Sequence, residues 1–452
     1  MKQRIIHISK PLGYLILMLL IILGTIGLVA YGQGYMYDRE SGEFTTGGLA
    51  LIDSTPDEAD LWVDGQQVDS TPERLRLAPG EYTFGLFLDG YRPWEKRVEV
   101  LAGEVLDVEY PLLIPNTVGT TPIANLRQPR LIHQSNDQRL VAVVEAAPQE
   151  QVRMFRSGGS GLTTIFTLPE TSEAVITAIE WSTDGSRLLV TTEGANAERF
   201  LVLVEGEGTP LALNELLGAG ATSFDFSTDS ETLYALTAGD LVALDITSEQ
   251  VTPVAKDVSA YYLQGDELYL VQTHSSGTRI IHLVEGESRT VHELDSNDSY
   301  TLDLTVYNDD KVLILHNRTR EQVTLLSDVD SQVRTRTLPL RAAAQIYLNP
   351  SRRFLVMQNQ AQFLTYDFNH GELYAFELET APTAALSWYD DWHLLASLAG
   401  SAVLLEFDGK HQEQLALAEA FGVSGSRRER MVYSIGKNAL TGRFMLQRSA
   451  LE

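Results

Sequence analysis

The residues best suited to recognise or transform another molecule are few. Trp388-Tyr389-Asp390-Asp391-Trp392 sets two indoles and a phenol around one turn. Exposed Trp and Tyr anchor protein contacts and stack on sugars. Trp388, Tyr389 and Trp392 are therefore the candidate partner-binding residues, although Trp388 also aligns with Trp181 and would then pack in a core. Arg427-Arg428-Glu429-Arg430 is a basic run in an acidic chain, read as a solvated turn or as an anchor for an acidic partner. Ser157-Gly158-Gly159-Ser160-Gly161 is rich in Gly and Ser, but no helix follows it. It reads as a flexible loop and not as a phosphate cradle. The turn aspartates Asp184, Asp229, Asp309 and Asp390 are expected to hold their own turn backbone. A ring of loop carboxylates binding calcium is the sharper alternative.

Other chemistry is largely excluded. The chain has no His-Glu-x-x-His helix, no Gly-x-Ser-x-Gly elbow and no loop ending in Gly-Lys-Ser/Thr. It has no cysteine, so disulfides, thiolate metal sites and cysteine nucleophiles are ruled out. Most histidines are scattered, and only His274, His282 and His292 lie close together, at a spacing that suits different strands of one sheet. No catalytic residue, metal site or cofactor is expected. The 61 acidic residues still leave room for a carboxylate pair able to cut a glycosidic bond.

These residues sit in a chain of 452, long enough for several domains. Apolar residues make up 44% and charged residues 21%, which is a globular composition and not a disordered one. The formal charge of −27 has the wrong sign for a nucleic-acid binder. It favours cationic partners instead.

Residues 12–31 (LGYLILMLLIILGTIGLVAY) carry no charge. About 20 apolar residues in a helix match a bilayer's hydrocarbon core. Lys2, Arg4 and Lys10 precede the run, and Asp38, Glu40 and Glu43 follow it. The positive-inside rule then predicts a single-pass protein of the cell membrane, with residues 1–11 as a cytoplasmic tail and the bulk outside. A cleaved signal peptide fits less well, because the run is long and Leu28-Val29-Ala30 is a poor cleavage site. A polar linker is expected over 32–46.

Between 47 and 113 the pattern becomes short alternating strands. Asp64-Gly65 between apolar alternations is a hairpin signal, and Pro79-Gly80, Asp89-Gly90 and Ala102-Gly103 mark further turns. Six short strands in this span imply a small β-sandwich. The segment resembles the PEGA domain family. Pro56-Asp57-Glu58-Ala59 stands where the family has its naming tetrapeptide. Val63-Asp64-Gly65, Thr71-Pro72, Pro79-Gly80 with Tyr82, and Gly90-Tyr91 with Pro93 follow in order. The departures are Asp57-Glu58 for Glu-Gly, and Asp69-Ser70 where a glycine is usual. The resemblance implies a non-catalytic surface module, often outside membranes, and transfers no catalytic residue.

From 119 to 452 one unit recurs. An apolar triplet leads into a polar turn and a second apolar strand, as in IEWSTDGSRLLVTT (179–192), FDFSTDSETLYALT (224–237) and LSWYDDWHLLASL (386–398). Eight copies recur about every 42 residues, most with a third strand and many with a fourth. Four strands per repeat of that length signal a β-propeller. Ser182-Thr183-Asp184-Gly185 and Ser227-Thr228-Asp229-Ser230 resemble the turns of WD-like propellers, without the Trp-Asp and Gly-His dipeptides. Seven or eight blades are expected, with eight favoured. TTPIANL (120–126) stands alone before the first copy, and the last copy lacks a fourth strand, so the first segment is expected to complete the last blade.

The fold expected is all-β: a transmembrane helix, a PEGA-like sandwich and a seven- or eight-bladed propeller. The function expected is a membrane-anchored, extracytoplasmic binding or scaffold protein, presenting the propeller to an unidentified protein or glycan at the cell surface. The alternative is a polysaccharide hydrolase or lyase using propeller-loop carboxylates. A sensor is a further rival, but the short tail would need a partner helix.

Overall fold

The computed structural model describes residues 10–32, 35–37, 44–206, 208–265, 267–275, 277–307, 310–339, 342, 345–438 and 440–452. Most of the expected tail, much of the expected linker and the turn residue Asp309 lie outside the described residues. The chain divides into two units, Met1–Thr117 and Val118–Glu452.

The first unit opens with helix α1 (Lys10–Gly32). Its side chains from 14 to 29 are all exposed. Among the described residues no helix is long and apolar enough to cross a membrane. The expected transmembrane span is thus not borne out here. The expected linker also holds regular structure, since β1 (Tyr35–Tyr37) and β2 (Phe44–Thr46) pair antiparallel.

Seven strands follow: β3 (Gly48–Ile52), β4 (Asp60–Val63), β5 (Gln66–Ser70), β6 (Glu73–Leu77), β7 (Gly80–Phe87), β8 (Trp94–Val100) and β9 (Val105–Val108). They form two sheets, β6-β3-β9 and β5-β4-β7-β8. Leu61, Leu86 and Trp94 stand opposite one another across β4, β7 and β8, and all three are buried. Ala50, Ile52 and Val108 of the other sheet are buried too. Asp64 and Gly65 both take positive φ, 48° and 77°, as a two-residue hairpin requires. The strand they lead into, β5, is largely exposed. Its sequence, QQVDS, has no apolar alternation, so only its turn is legible.

The second unit is eight sheets of four strands. Seven are simple meanders: blade 1 (129–167), blade 2 (175–212), blade 3 (222–255), blade 4 (258–294), blade 5 (300–337), blade 6 (345–377) and blade 7 (387–417). Blade 8 (423–450) supplies three strands, and β10 (Thr120–Leu126) supplies the fourth. Thr120 pairs with Ser449 and Leu126 with Phe444. Leu126 then packs with Tyr433, Ile435 and Leu446 of blade 8 and with Val141, Val143 and Phe155 of blade 1. The segment leading into blade 8 also accepts a hydrogen bond from blade 1, Ile132 N to Phe421 O at 3.0 Å. The ring is closed, with eight blades.

Apolar side chains fill the spaces between blades. Ala142 and Val144 of blade 1 meet Ile176, Leu188 and Val190 of blade 2. Tyr269 and Val271 of blade 4 meet Leu304, Leu313 and Leu315 of blade 5. A strand with a neighbouring sheet on each side is apolar on both faces. The second strands are accordingly continuous apolar runs, and all of Leu140–Glu145 and His393–Leu398 is buried. The fourth strands lie at the rim, and Arg334–Thr337 is exposed throughout.

The turn aspartates are structural. Asp184 accepts from Ser182 Oγ at 2.7 Å and from Ser186 N at 2.9 Å. Asp229 accepts from Ser227 Oγ and Glu231 N in the same way. Asp390 accepts from the backbone N of Trp392 and His393, and from His393 Nδ1.

Candidate interaction surface

The aromatic turn of blade 7 is not an exposed patch. Tyr389 is 1% exposed. Its ring lies so close to Gly425 of blade 8 that a Cβ there would fall 2.6 Å away. Trp388 faces Leu394 and packs against the core between blades 6 and 7. Trp181 sits in the same way between blades 1 and 2, so the alignment of the two is a packing position. Trp392 is half-buried. The Arg353 guanidinium lies 4.4 Å from its ring centroid, and Phe354 and Phe407 lie at 5.3 and 5.5 Å. The structure sends the three candidate residues into different surroundings. The reason is that Arg353 and Phe354, from blade 6, cover the one ring that the turn could have offered.

Tyr389 instead leads to a surface where three of the features singled out above converge. Its carbonyl accepts from Gln138 Nε2 of blade 1 at 2.9 Å. Gln138 Oε1 accepts from Arg427 N of blade 8 at 3.0 Å. Gln138 O accepts from Ser157 Oγ at 2.6 Å. The carboxamide of one residue thus ties the aromatic turn and the arginine run together, while its backbone holds the Gly/Ser loop. That loop is further fixed by Gly158 N donating to Tyr433 Oη at 2.8 Å and by Arg448 Nη1 donating to Gly158 O at 3.0 Å. Gly158 takes φ 77°, a conformation for which glycine is the natural choice.

The surface carries Arg139, Arg156, Arg427, Arg428, Arg430 and Arg448. Arg139 pairs with Asp137, Arg156 with Glu205, and Arg430 with Glu452 at 3.6 Å. Arg428 reaches Glu429 only at 3.9 Å, with 82% of its side chain exposed. Arg427 is exposed and has no ion pair among the described residues.

A second polar cluster lies on the inner wall of the ring. Glu180, Asp225 and Asp303 occupy the first strands of blades 2, 3 and 5. Asp225 and Asp303 belong to blades separated by blade 4, yet each is within electrostatic reach of the other, and Glu180 of Asp225. Non-adjacent blades approach one another only around the axis, so these carboxylates face the channel. Burial pushes all three upward, Asp225 to about 7, with Glu180 and Asp303 adding repulsion there. Arg352 opposes the rise at Asp303, with Nη1 at 3.2 Å from its Oδ1. Its guanidinium also lies 5.6 Å from the Tyr262 ring centroid. These acids are the functional candidates that the sequence reading missed. Their signal was an acid flanked by two apolar residues, in Ile179-Glu180-Trp181, Phe224-Asp225-Phe226 and Leu302-Asp303-Leu304.

Two clefts, of about 240 and 320 Å³, lie elsewhere and are not lined by these carboxylates. Among the described residues no group of three or more His, Asp or Glu is placed to hold a metal ion. His282, of the histidine trio, pairs its Nε2 with Glu267 at 3.0 Å.

Comparison with known proteins agrees with the first unit and is remote for the second. Residues 48–114 match the PEGA domain. No curated protein sequence matches the chain. Among solved structures, the chain is similar to the C-terminal WD40 domain of Sif2, with 10% identity, 74% of this chain and 99% of that one covered, and a TM-score of 0.49. It is similar to the β-propeller domain of Myceliophteria thermophila Cps50 (Swd1), with 13% identity, 73% and 99% covered, and a TM-score of 0.41. It is also similar to Kluyveromyces lactis Hsv2, with 10% identity, 73% and 100% covered, and a TM-score of 0.41. The assignment of a propeller rests on the eight sheets themselves.

Proposed function

We propose that the chain is a membrane-anchored, extracytoplasmic scaffold whose propeller binds a protein partner through the surface at blades 7, 8 and 1. One observation carries this reading: loops of three blades are locked into one exposed surface through Gln138. Loops held rigid by a scaffold lose little entropy on binding, which is the advantage a platform offers. The apolar run at residues 12–31 and the charge asymmetry around it support the anchor.

Two experiments test the reading. Photo-crosslinkers at positions 160 and 429, exposed on this surface, compared with rim positions 252 and 335 of the full chain, should give discrete products in native membranes from the first pair only. Equal labelling from all four positions refutes the surface. Alkaline washing of membranes should leave the full chain in the pellet and release a chain lacking residues 1–34. Release of both refutes the anchor.

The raised carboxyl of Asp225, beside Glu180 and Asp303, favours one second reading. A proton-holding acid near an ionised carboxylate is the pairing used to hydrolyse glycosides. Incubation with neutral and acidic polysaccharides separates the two. Shortened chains, lost on Asp225→Asn, support the enzyme, and unaltered chains support the scaffold.

A further inference from the structure

We propose that the surface at blades 7, 8 and 1 takes an acidic, carboxylate-rich peptide segment of the partner protein. The proposal rests on reading the propeller as a binding platform and names the chemistry of what it binds.

The chain holds 61 acidic residues against 34 Lys and Arg. Carboxylates are thus in surplus, and a surface arginine has little difficulty finding one. Three of the six arginines on this surface have done so, at Asp137, Glu205 and Glu452, and Arg448 donates to the Gly158 carbonyl instead. Arg427 and Arg428 have not. Arg427 has no ion pair among the described residues, and Arg428 has only the 3.9 Å approach to Glu429. Two adjacent exposed guanidiniums that share a single carboxylate approach, from Glu429 at 3.9 Å, on a chain of charge −27, form a local reversal of sign.

The geometry holds that reversal in place. The backbone N of Arg427 is fixed on Gln138 Oε1 at 3.0 Å, and Arg430 N donates to Arg427 O at 3.2 Å. Arg430 takes φ 46° to turn the chain back into the next strand. The turn is therefore set before a partner arrives, and only the side chains remain to be ordered. Guanidinium forks match carboxylates in two parallel hydrogen bonds, which a lysine ammonium does not reproduce. Repulsion from the rest of the chain steers an acidic segment away from other faces, so this surface is selected by exclusion as well as by attraction. A second copy of the chain fits poorly, because two bodies of charge −27 repel.

The test uses the full chain in detergent and a fluorescent poly-glutamate peptide as probe. We expect saturable binding that weakens as salt rises from about 0.1 M to about 1 M, where the screening length falls from ~10 to ~3 Å. Arg427→Glu with Arg428→Glu should weaken binding by about tenfold or more. The charge-matched pair Arg279→Glu with Arg334→Glu, on the third strand of blade 4 and the fourth strand of blade 5, should weaken it by under about twofold. Arg427→Lys with Arg428→Lys keeps the charge and loses the forks, and should fall between the two. Absence of saturable binding overturns the proposal, as does an equal loss from both reversal pairs. Binding of phosphatidylserine vesicles in preference to the peptide also overturns it. If the crosslinked partner is kept by the Arg427→Glu, Arg428→Glu chain, the platform reading stands and the acidic segment is refuted.

Discussion

Replacing Asp225 by Asn tests the inner wall of the ring most directly. Burial among the first strands, reinforced by Glu180 and Asp303, pushes the Asp225 carboxyl from 3.8 up to about 7. At ~1.4 kcal/mol per pKa unit, that displacement corresponds to about 4 kcal/mol. The side chain is enclosed by the surrounding strands yet still reaches solvent, and screening reduces the cost to about 1–2 kcal/mol. The sign follows from which state holds the proton. Below pH 3.8 both the folded and unfolded carboxyls are protonated, and the site contributes nothing. Between 3.8 and about 7 the unfolded carboxyl has ionised while the folded one keeps its proton, so the parent loses stability as pH rises. Above about 7 the loss is complete. Asn has no proton to lose. The stability of Asp225→Asn relative to the parent should therefore rise by about 1–2 kcal/mol between pH 4 and pH 8 and then level off. Urea unfolding of both chains across that range measures it. A difference that stays constant across the range refutes the assignment of Asp225 to a confined, acid-lined wall. So does a variant that loses ground as pH rises.

Three further outcomes follow from the packing. Trp392→Ala removes a half-buried ring from Arg353, Phe354 and Phe407, and should cost about 2 kcal/mol in urea unfolding while leaving poly-glutamate binding unchanged. Asp367→Ala strips Arg353 of a carboxylate that is 1% exposed and bonded at 3.1 and 3.0 Å, and should cost about 3 kcal/mol at neutral pH. Burial alone would raise the Asp367 carboxyl, but Arg353 and His370 outweigh it and hold it low, so its stabilisation is lost as pH falls below the ordinary carboxylate range. Leu126→Asp puts a charge into the closing blade, where Leu126 is 4% exposed, and light scattering should then show concentration-dependent association as the freed edge of Phe444–Ala450 finds other chains.

How much of this was legible depended on whether the cause was local. The repeat was, because each second strand lies between two sheets and must be apolar on both faces, as in Leu140–Glu145. The Asp64-Gly65 turn was too, because positive φ restricts residue type. The strand after it, Gln66–Ser70, was not, since an exposed edge imposes no apolar pattern. The pairing of β3 with β9 is parallel, and nothing in either strand announces it. The partner-binding candidates misled for a related reason: Trp392 looks available in its own turn, and the group that covers it, Arg353, comes from another blade. Gln138 could not be singled out at all, because its partners Arg427 and Tyr389 lie 289 and 251 residues away. Only closure of the ring makes them neighbours.

That closure also sets a clock on synthesis. Thr120 hydrogen-bonds Ser449, 329 residues later in the chain. At a ribosome's ~5–20 residues per second, the closing strand emerges some 15–65 s before its partner exists. Blades 1 to 7 are complete meanders and have all their strands as they appear, but the first strand of the ring must wait for the last. During that interval the nascent chain carries an unpaired strand at its leading end, and the final blade is the one place where folding cannot keep pace with translation.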